Sequence, residues 1–111
     1  MILLVDIPNS GREIVAIVGP SLTIRVAFDC HEAIRTLGMV KPSAVIVGSS
    51  IGIEDAEKLA TDIKSVSAIP VILVRHNDRG VSGEKAKKFS AVLFREQAGW
   101  MEALRAKVEP Q

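Results

Sequence analysis

The stretch from Lys41 to Ser50 constrains the fold of this chain more than any other. It is a short apolar run that a proline opens and a glycine with two serines closes. Because polar and apolar residues do not alternate within it, the run predicts a strand that is buried on both faces. Such strands belong to parallel α/β sheets, in which the residues just past the carboxyl end of a central strand carry the chemistry. In this chain that position is Gly48, which has no side chain.

The composition is that of an ordinary globular domain. The chain has 111 residues, of which 48% are hydrophobic and 24% charged, with a formal net charge of +1. No apolar run approaches the roughly 20 residues that a membrane helix needs, and no signal-peptide pattern follows Met1. The single cysteine, Cys30, fits a reducing compartment. We therefore expect one domain over residues 1–111, a cytoplasmic location, no membrane insertion and no nucleic-acid partner.

The charges are unevenly distributed along the chain. Residues 75–108 carry eight Lys or Arg against four Asp or Glu, whereas residues 1–74 carry six against eight. The net charges of these two parts are therefore +4 and −2. The basic third is the first surface that we expect to meet an anionic partner.

Five predicted strands alternate with five predicted helices. The predicted strands are Ile2–Asp6, Leu22–Phe28, Ala44–Val47, Ile69–Val74 and Ala91–Phe94. The predicted helices are Arg12–Val18 with Asn9 or Ser10 as its N-cap, Asp29 or Cys30 to Met39, Glu54–Val66, Glu84–Phe89 and Ala98–Val108. Short connections between alternating strands and helices predict a (βα)5 fold, in which a doubly wound parallel sheet has helices on both faces.

Four segments resemble the receiver domain of two-component response regulators. Residues 27–34 match the family pattern Ala-x-Asp-Gly-x-Glu-Ala-Leu, and residues 42–48 match Pro-Asp-Leu-Val-Leu-Leu-Asp. Residues 69–72 match the family's fourth strand, and residues 90–94 match Gly-Ala-x-x-Tyr. The resemblance covers nearly the whole chain and implies the flavodoxin-like receiver fold, a three-layer α/β fold with strand order 2-1-3-4-5. It also implies a place in phosphorelay signalling, either alone or as part of a larger protein such as a hybrid histidine kinase.

The same resemblance shows which reactive groups are replaced. The family's acidic pair falls on Asp6 and Ile7, its phospho-accepting aspartate on Gly48, its switch hydroxyl on Arg75 and its lysine on Gln97. An acyl phosphate needs a carboxylate nucleophile, which glycine lacks. One carboxylate beside an isoleucine is also a poor Mg²⁺ site. We therefore expect a pseudo-receiver that is not phosphorylated and not an enzyme, with no catalytic residue, metal or cofactor.

Arg75 suggests what lies above Gly48. In receiver topology Arg75 and Asp6 lie about 10 Å apart across the sheet. The guanidinium group could then lie over Gly48 and pair with the Asp6 carboxylate. The alternative is that Arg75 points into solvent.

A second candidate region is the face that helix four, strand five and helix five form, which many receivers use for dimerisation or output. Phe94 takes the place of the family's switch aromatic. Trp100 is one position off an apolar stripe of Met101, Leu104 and Val108, so it lies either exposed at the edge of helix five or buried against Phe89 or Phe94. The candidate residues of this face are Arg75, Arg79, Phe94, Arg95, Gln97 and Trp100.

Two functions are compatible with that face. In the first, the domain docks there onto a protein partner, which is a kinase, an output domain or a second copy of itself. In the second, the face binds a cyclic dinucleotide such as cyclic di-GMP and controls a hybrid histidine kinase. Three arginines, Arg75, Arg79 and Arg95, would then pair with the phosphates, and Trp100 would stack on a base.

Overall fold

A computed structural model of the chain describes residues 1–20 and 22–108. The strands are β1 Ile2–Val5, β2 Ile24–Ala27, β3 Ala44–Val47, β4 Val71–Arg75 and β5 Ala91–Phe94. The helices are α1 Pro8–Val18, α2 Cys30–Leu37, α3 Ile53–Val66, α4 Gly83–Ala86 and α5 Trp100–Val108. All strand pairs are parallel, in the order β2-β1-β3-β4-β5, which confirms the predicted architecture. The predicted domain also includes residues 21 and 109–111, which lie outside the described residues.

The sheet divides the interior into two apolar layers. Successive strand residues face opposite sides, so β1 contributes Leu3 and Val5 to one layer and Ile2 and Leu4 to the other. α2 and α3 cover the first layer, and α1 and α5 cover the second. Every residue of β1 and β3 is buried, which is why these runs show no polar alternation. Within the described ranges, no helix is both long and apolar enough to cross a membrane.

The starts of the first two helices follow different local rules. α1 begins at Pro8 rather than Arg12, so the predicted caps Asn9 and Ser10 are wrong. Proline is suited to the first position of a helix, where its missing N–H has no intrahelical partner to lose. α2 begins after Asp29, which accepts a hydrogen bond from the Glu32 backbone N–H at 2.8 Å, and this start was predicted.

α4 is a single turn, shorter than the predicted Glu84–Phe89. Its first residues are capped by Ser82, whose hydroxyl accepts a hydrogen bond from the Lys85 N–H at 3.2 Å. Beyond the helix the chain turns inward, and Phe89 packs into the layer beneath α3. Ser90 then donates its N–H to the Val71 carbonyl at 2.8 Å and starts the pairing of β5 with β4. Because Phe89 must enter the core just before the strand, the helical turns end early.

α5 presents a different stripe from the predicted one. Trp100 is only 7% exposed and packs with Leu104 and Val108 in the layer beneath α1 and α5, whereas Met101 is 41% exposed. The buried positions are therefore 100, 104 and 108, which lie one above another on a helix. Trp100 is therefore buried, as one of its two predicted positions has it, but Phe89 is not its packing partner, since it lies in the opposite layer.

The phase of α5 is tested by two adjacent substitutions. Trp100→Ala is expected to lower the free energy of unfolding by about 3–5 kcal/mol, because it leaves a cavity in a packed layer. Met101→Ala is expected to change that energy by less than about 0.5 kcal/mol, because the side chain is exposed. Urea denaturation of both variants measures the difference, and equal effects would contradict this phase of the helix.

Candidate functional site

The carboxyl ends of the central strands bring three of the predicted site residues together. Asp6 follows β1, Gly48 follows β3, and Arg75 ends β4. The Gly48 N–H donates to the carbonyl of Val5 at 2.9 Å, so β1 and β3 stay paired up to the edge of the sheet. The site is therefore built on the paired carboxyl ends of the central strands.

Asp6 is completely buried beneath the loop that joins β3 to α3. Its Oδ1 accepts hydrogen bonds from the Ser50 hydroxyl, from the Ile7 N–H at 2.9 Å and from the Ser50 N–H at 3.3 Å. The Ile7 N–H also approaches the Ser50 hydroxyl oxygen, at 3.2 Å. These contacts compensate for the burial of one carboxylate oxygen and hold the loop against the end of β1.

The second carboxylate oxygen occupies the space that a side chain at position 48 would need. A Cβ atom on Gly48 would lie 2.0 Å from Asp6 Oδ2 and 2.9 Å from Asp6 Cβ. Gly11 borders the same carboxylate, since a Cβ atom there would lie 3.7 Å from Oδ2. Oδ2 has no hydrogen-bond partner among the described residues. The group above Gly48 is therefore Asp6 itself.

Arg75 binds the loop between β3 and α3, which is neither of its two predicted positions. Its guanidinium Nη1 donates a hydrogen bond to the carbonyl oxygen of Ile51, on the loop between β3 and α3. In the described part of the chain, Arg75 and Asp6 form no ion pair, so the predicted pairing is wrong. Burial lowers the pKa of Arg75, and the Asp6 carboxylate acts in the opposite direction. Arg75 thus holds the loop from the β4 side, while Asp6 holds it from the β1 side.

The residues at this edge do not fit a Mg²⁺ ion. Asp6 Oδ1 already accepts hydrogen bonds from Ser50 and Ile7, and Oδ2 is enclosed between Gly48 and Gly11. Ile7, at the position of the family's second acid, offers an apolar side chain that is 45% exposed. In residues 1–20 and 22–108, no group of three His, Cys, Asp or Glu is placed to hold a metal ion.

Two arginines of the candidate face around β5 make contacts on opposite sides of the sheet. Arg95 turns toward α1, where its Nη2 donates to the Ser10 carbonyl at 2.9 Å and its Nη1 lies 4.0 Å from Glu13. Its guanidinium carbon also lies 5.6 Å from the centre of the Trp100 ring. Arg75 contacts the loop on the other side, and Arg79 is exposed beyond the end of β4. The cyclic-dinucleotide site thus stays a prediction, and it would require Arg95 to exchange its contacts with Ser10 and Glu13 for a phosphate.

Phe94 and Gln97 lie beside a small depression at the end of β5. It has a volume of about 170 Å³, and the other lining residues are Asn77, Asp78 and Glu96. Two carboxylates on its wall make it unfavourable for a phosphate group. Gln97, the residue at the position of the family's lysine, is exposed and lies in the turn that follows β5.

The residues that complete the site were not predicted. Ser50 supplies its hydroxyl and its N–H to Asp6, Ile51 supplies a carbonyl to Arg75, and Gly11 lies beside the carboxylate. The sequence signal for this contact was a serine two positions after Gly48, in a chain with one carboxylate, Asp6, at the end of the first strand. Sequence alone does not give the loop path that brings Ser50 back over Asp6.

Comparison with known proteins gives the fold. No protein-family model and no curated protein matches the chain. A two-component response regulator from Clostridium difficile superposes with a TM-score of 0.78 at 21% sequence identity, covering 96% of this chain and 90% of that one. The receiver domain of a sensor histidine kinase from Pseudomonas aeruginosa, solved with magnesium in its active site cleft, gives 0.76 at 18%, covering 96% and 95%. The chain has the receiver fold.

A third similar structure differs from those two in the regulation described for it. It is an atypical orphan response regulator for which a phosphorylation-independent regulatory mechanism is described. It superposes on this receiver fold with a TM-score of 0.74 at 17% identity, covering 97% of this chain and 91% of that one. At such identities the likeness establishes the arrangement of the chain and leaves the chemistry to the residues of the site.

The close approach of Asp6 to Gly48 predicts a strong effect of a single methyl group. Gly48→Ala is expected to lower the free energy of unfolding by about 2–3 kcal/mol, because the added Cβ overlaps the buried carboxylate. In an Asp6→Ala background the same change is expected to cost less, with a coupling energy of about 1–2 kcal/mol. Urea denaturation of the four proteins measures the cycle. Gly83→Ala is the matched control, since nothing lies within 4 Å of that added Cβ, and an equally small effect of Gly48→Ala would contradict the geometry.

Proposed function

We propose that this chain is a pseudo-receiver of a two-component or phosphorelay signalling protein. It is not phosphorylated, it is not itself an enzyme, and it regulates by docking onto a protein partner, which is a kinase, an output domain or a second copy. The observation that carries the proposal is the position of the Asp6 carboxylate, which fills the space above Gly48.

Phosphoryl transfer to this edge lacks both of its requirements. The nucleophile must be a carboxylate with an open line of approach to the phosphorus atom. Gly48 supplies none, and the Asp6 oxygens are enclosed by Ser50 on one side and by Gly48 and Gly11 on the other. The cation that would neutralise the phosphoryl charge also lacks a set of accessible oxygen ligands. These features support the proposal that the domain works without phosphorylation.

The loop between β3 and α3 supports a single working conformation. Asp6 binds it through Ser50, and Arg75 binds it through the Ile51 carbonyl, so both neighbouring strands hold it. A domain of this kind presents one surface to its partner at all times. The orphan response regulator described above, with its phosphorylation-independent mechanism, is a structural neighbour that supports this interpretation.

The docking face proposed from the sequence is the one formed by α4, β5 and α5. All four residues of β5 are half-buried, because the single turn of α4 covers little of this edge of the sheet. Met101 is 41% exposed on α5, and Arg79 and Gln97 are exposed in the loops beside it. These exposed residues are compatible with a partner at this face.

Incubation with a small phosphodonor tests the central part of the proposal. The wild-type chain, mixed with acetyl phosphate and Mg²⁺, is expected to gain no phosphoryl mass, because Gly48 offers no carboxylate and the Asp6 carboxylate is buried. Intact-mass spectrometry is the measurement, and a phosphorylatable receiver in a parallel reaction shows that the donor is active. A hydroxylamine-sensitive adduct that disappears in Asp6→Asn would contradict the proposal.

Calorimetric titration with cyclic di-GMP tests the alternative function. We expect no binding in the micromolar range, because Trp100 is only 7% exposed and the Arg95 guanidinium already lies beside its ring. Micromolar affinity in the wild type that is lost in Arg95→Ala would instead establish second-messenger binding, with Arg95→Lys as the charge-conserving control.

A further inference from the structure

We propose that the groove between α2 and α3 binds an amphipathic helix of a protein partner that carries Lys or Arg beside its apolar stripe. The groove runs from the carboxyl edge of the sheet along the two helices. It lies on a different surface from the face of α4, β5 and α5. The proposal does not depend on whether the domain is phosphorylated.

Exposed apolar side chains are concentrated along these two helices. The large hydrophobic residues that remain exposed are Ile7, Val15, Val26, Phe28, Ile34, Met39, Val66 and Met101. Five of these eight line cavities beside α2 and α3, namely Ile7, Phe28, Ile34, Met39 and Val66. Three of them, Ile7, Phe28 and Ile34, are each close to half exposed, at 45%, 52% and 45%. Such a concentration of apolar surface is typical of a binding region.

Three of the five apolar residues, Ile7, Phe28 and Ile34, line one continuous groove. A cavity of about 420 Å³ is lined by Ile7, Phe28 and Ile51 at the carboxyl edge of the sheet. A second cavity of about 290 Å³ lies beside Ile34, and both cavities are lined by Cys30, His31 and Asp55. The shared residues make the two cavities continuous. At the other end of the same helices, a third cavity of about 480 Å³ is lined by Met39 and Val66.

The groove is acidic where it is continuous. Asp29, Asp55 and Asp62 line it, against the single cation Lys58. In the described ranges none of these three carboxylates takes part in an ion pair. Burial raises the pKa of the Cys30 thiol on the wall of the groove, and the charges of Asp55 and Asp29 add to the effect. A partner with positive charges beside an apolar stripe complements this surface.

The shape of the groove favours a helix as the occupant. The continuous part of the groove follows α3 from Asp55 to Asp62, about 12 Å, which matches about two turns of a partner helix. Helices bind such grooves with apolar residues spaced at i, i+3 or i+4, and i+7. Phe28 lies just before α2 and Ile34 lies within it, so both side chains border the groove beside the start of that helix.

A peptide-display selection tests the proposal. The immobilised full chain is offered a library of 14-residue helical peptides, and the enriched peptides are sequenced and then measured by fluorescence anisotropy. We expect enriched peptides with apolar residues at helical spacing and a positive net charge. Their affinity is expected to fall about tenfold in Phe28→Ser and in Ile34→Ser, and severalfold in Asp55→Asn. Val15→Ser, on the surface of α1, is the matched control and is expected to leave affinity unchanged, and Met101→Ser tests the α5 face separately.

The alternative outcomes are distinct. Peptides that bind Phe28→Ser as tightly as the wild type, peptides with negative charge, or no enrichment would each overturn the proposal. Binding that is lost in Met101→Ser would place the docking surface at α5, as the proposed function has it. Sedimentation that shows a dimer disrupted by Phe28→Ser would make the groove an interface between two copies and would also overturn the proposal. Urea denaturation of each variant confirms that it is folded.

Discussion

The buried carboxylate of Asp6 is the interaction on which the carboxyl edge of this molecule depends. A carboxylate that leaves water loses several kcal/mol of hydration unless donors replace it. Here Ser50 and the backbone of Ile7 supply those donors to one oxygen, and the absence of a side chain at Gly48 makes room for the other. The loop between β3 and α3 is therefore positioned by an internal carboxylate, in the region where receivers perform phosphoryl chemistry. In this chain the Asp6 carboxylate is part of the packing of the fold.

Two arginines near β4 and β5 use their guanidinium groups for contacts within the domain. The count of Lys and Arg makes residues 75–108 the basic third of the chain, and this suggested an anion-binding surface. Yet Arg75 donates to the Ile51 carbonyl, and Arg95 donates to the Ser10 carbonyl while lying beside the Trp100 ring. Each guanidinium joins a strand end to a neighbouring loop or helix. These two guanidinium groups are therefore already engaged within the domain and are not free to bind an anion. Most of the exposed large hydrophobic residues lie elsewhere, along α2 and α3.

The sequence predicted the framework well, because the framework depends on local patterns. The bounds of β3 and β5 are as predicted, since Pro42 and Gly48 limit one run and the turn before Ala91 limits the other. The phase of α5 could not be read, since Trp100 and Met101 are both apolar and the stripe depends on where the helix begins. The hydrogen bonds of Asp6 could not be predicted either. They depend on a contact between residues 44 positions apart, which strand periodicity does not specify.

The contact between Asp6 and Gly48 also determines in which order substitutions can occur. With glycine at position 48, the neighbouring Asp6 carboxylate turns inward and uses the volume that a side chain there would need. Introducing an aspartate at position 48 then fails in a single step, because its Cβ would overlap an oxygen that Ser50 helps to hold in place. The Asp6 side chain must first move out of this volume, and its hydrogen bonds with Ser50 and Ile7 must break for it to do so. A side chain at position 48 is thus incompatible with the observed position of the Asp6 carboxylate, and the packing of one buried side chain limits which substitution can come first.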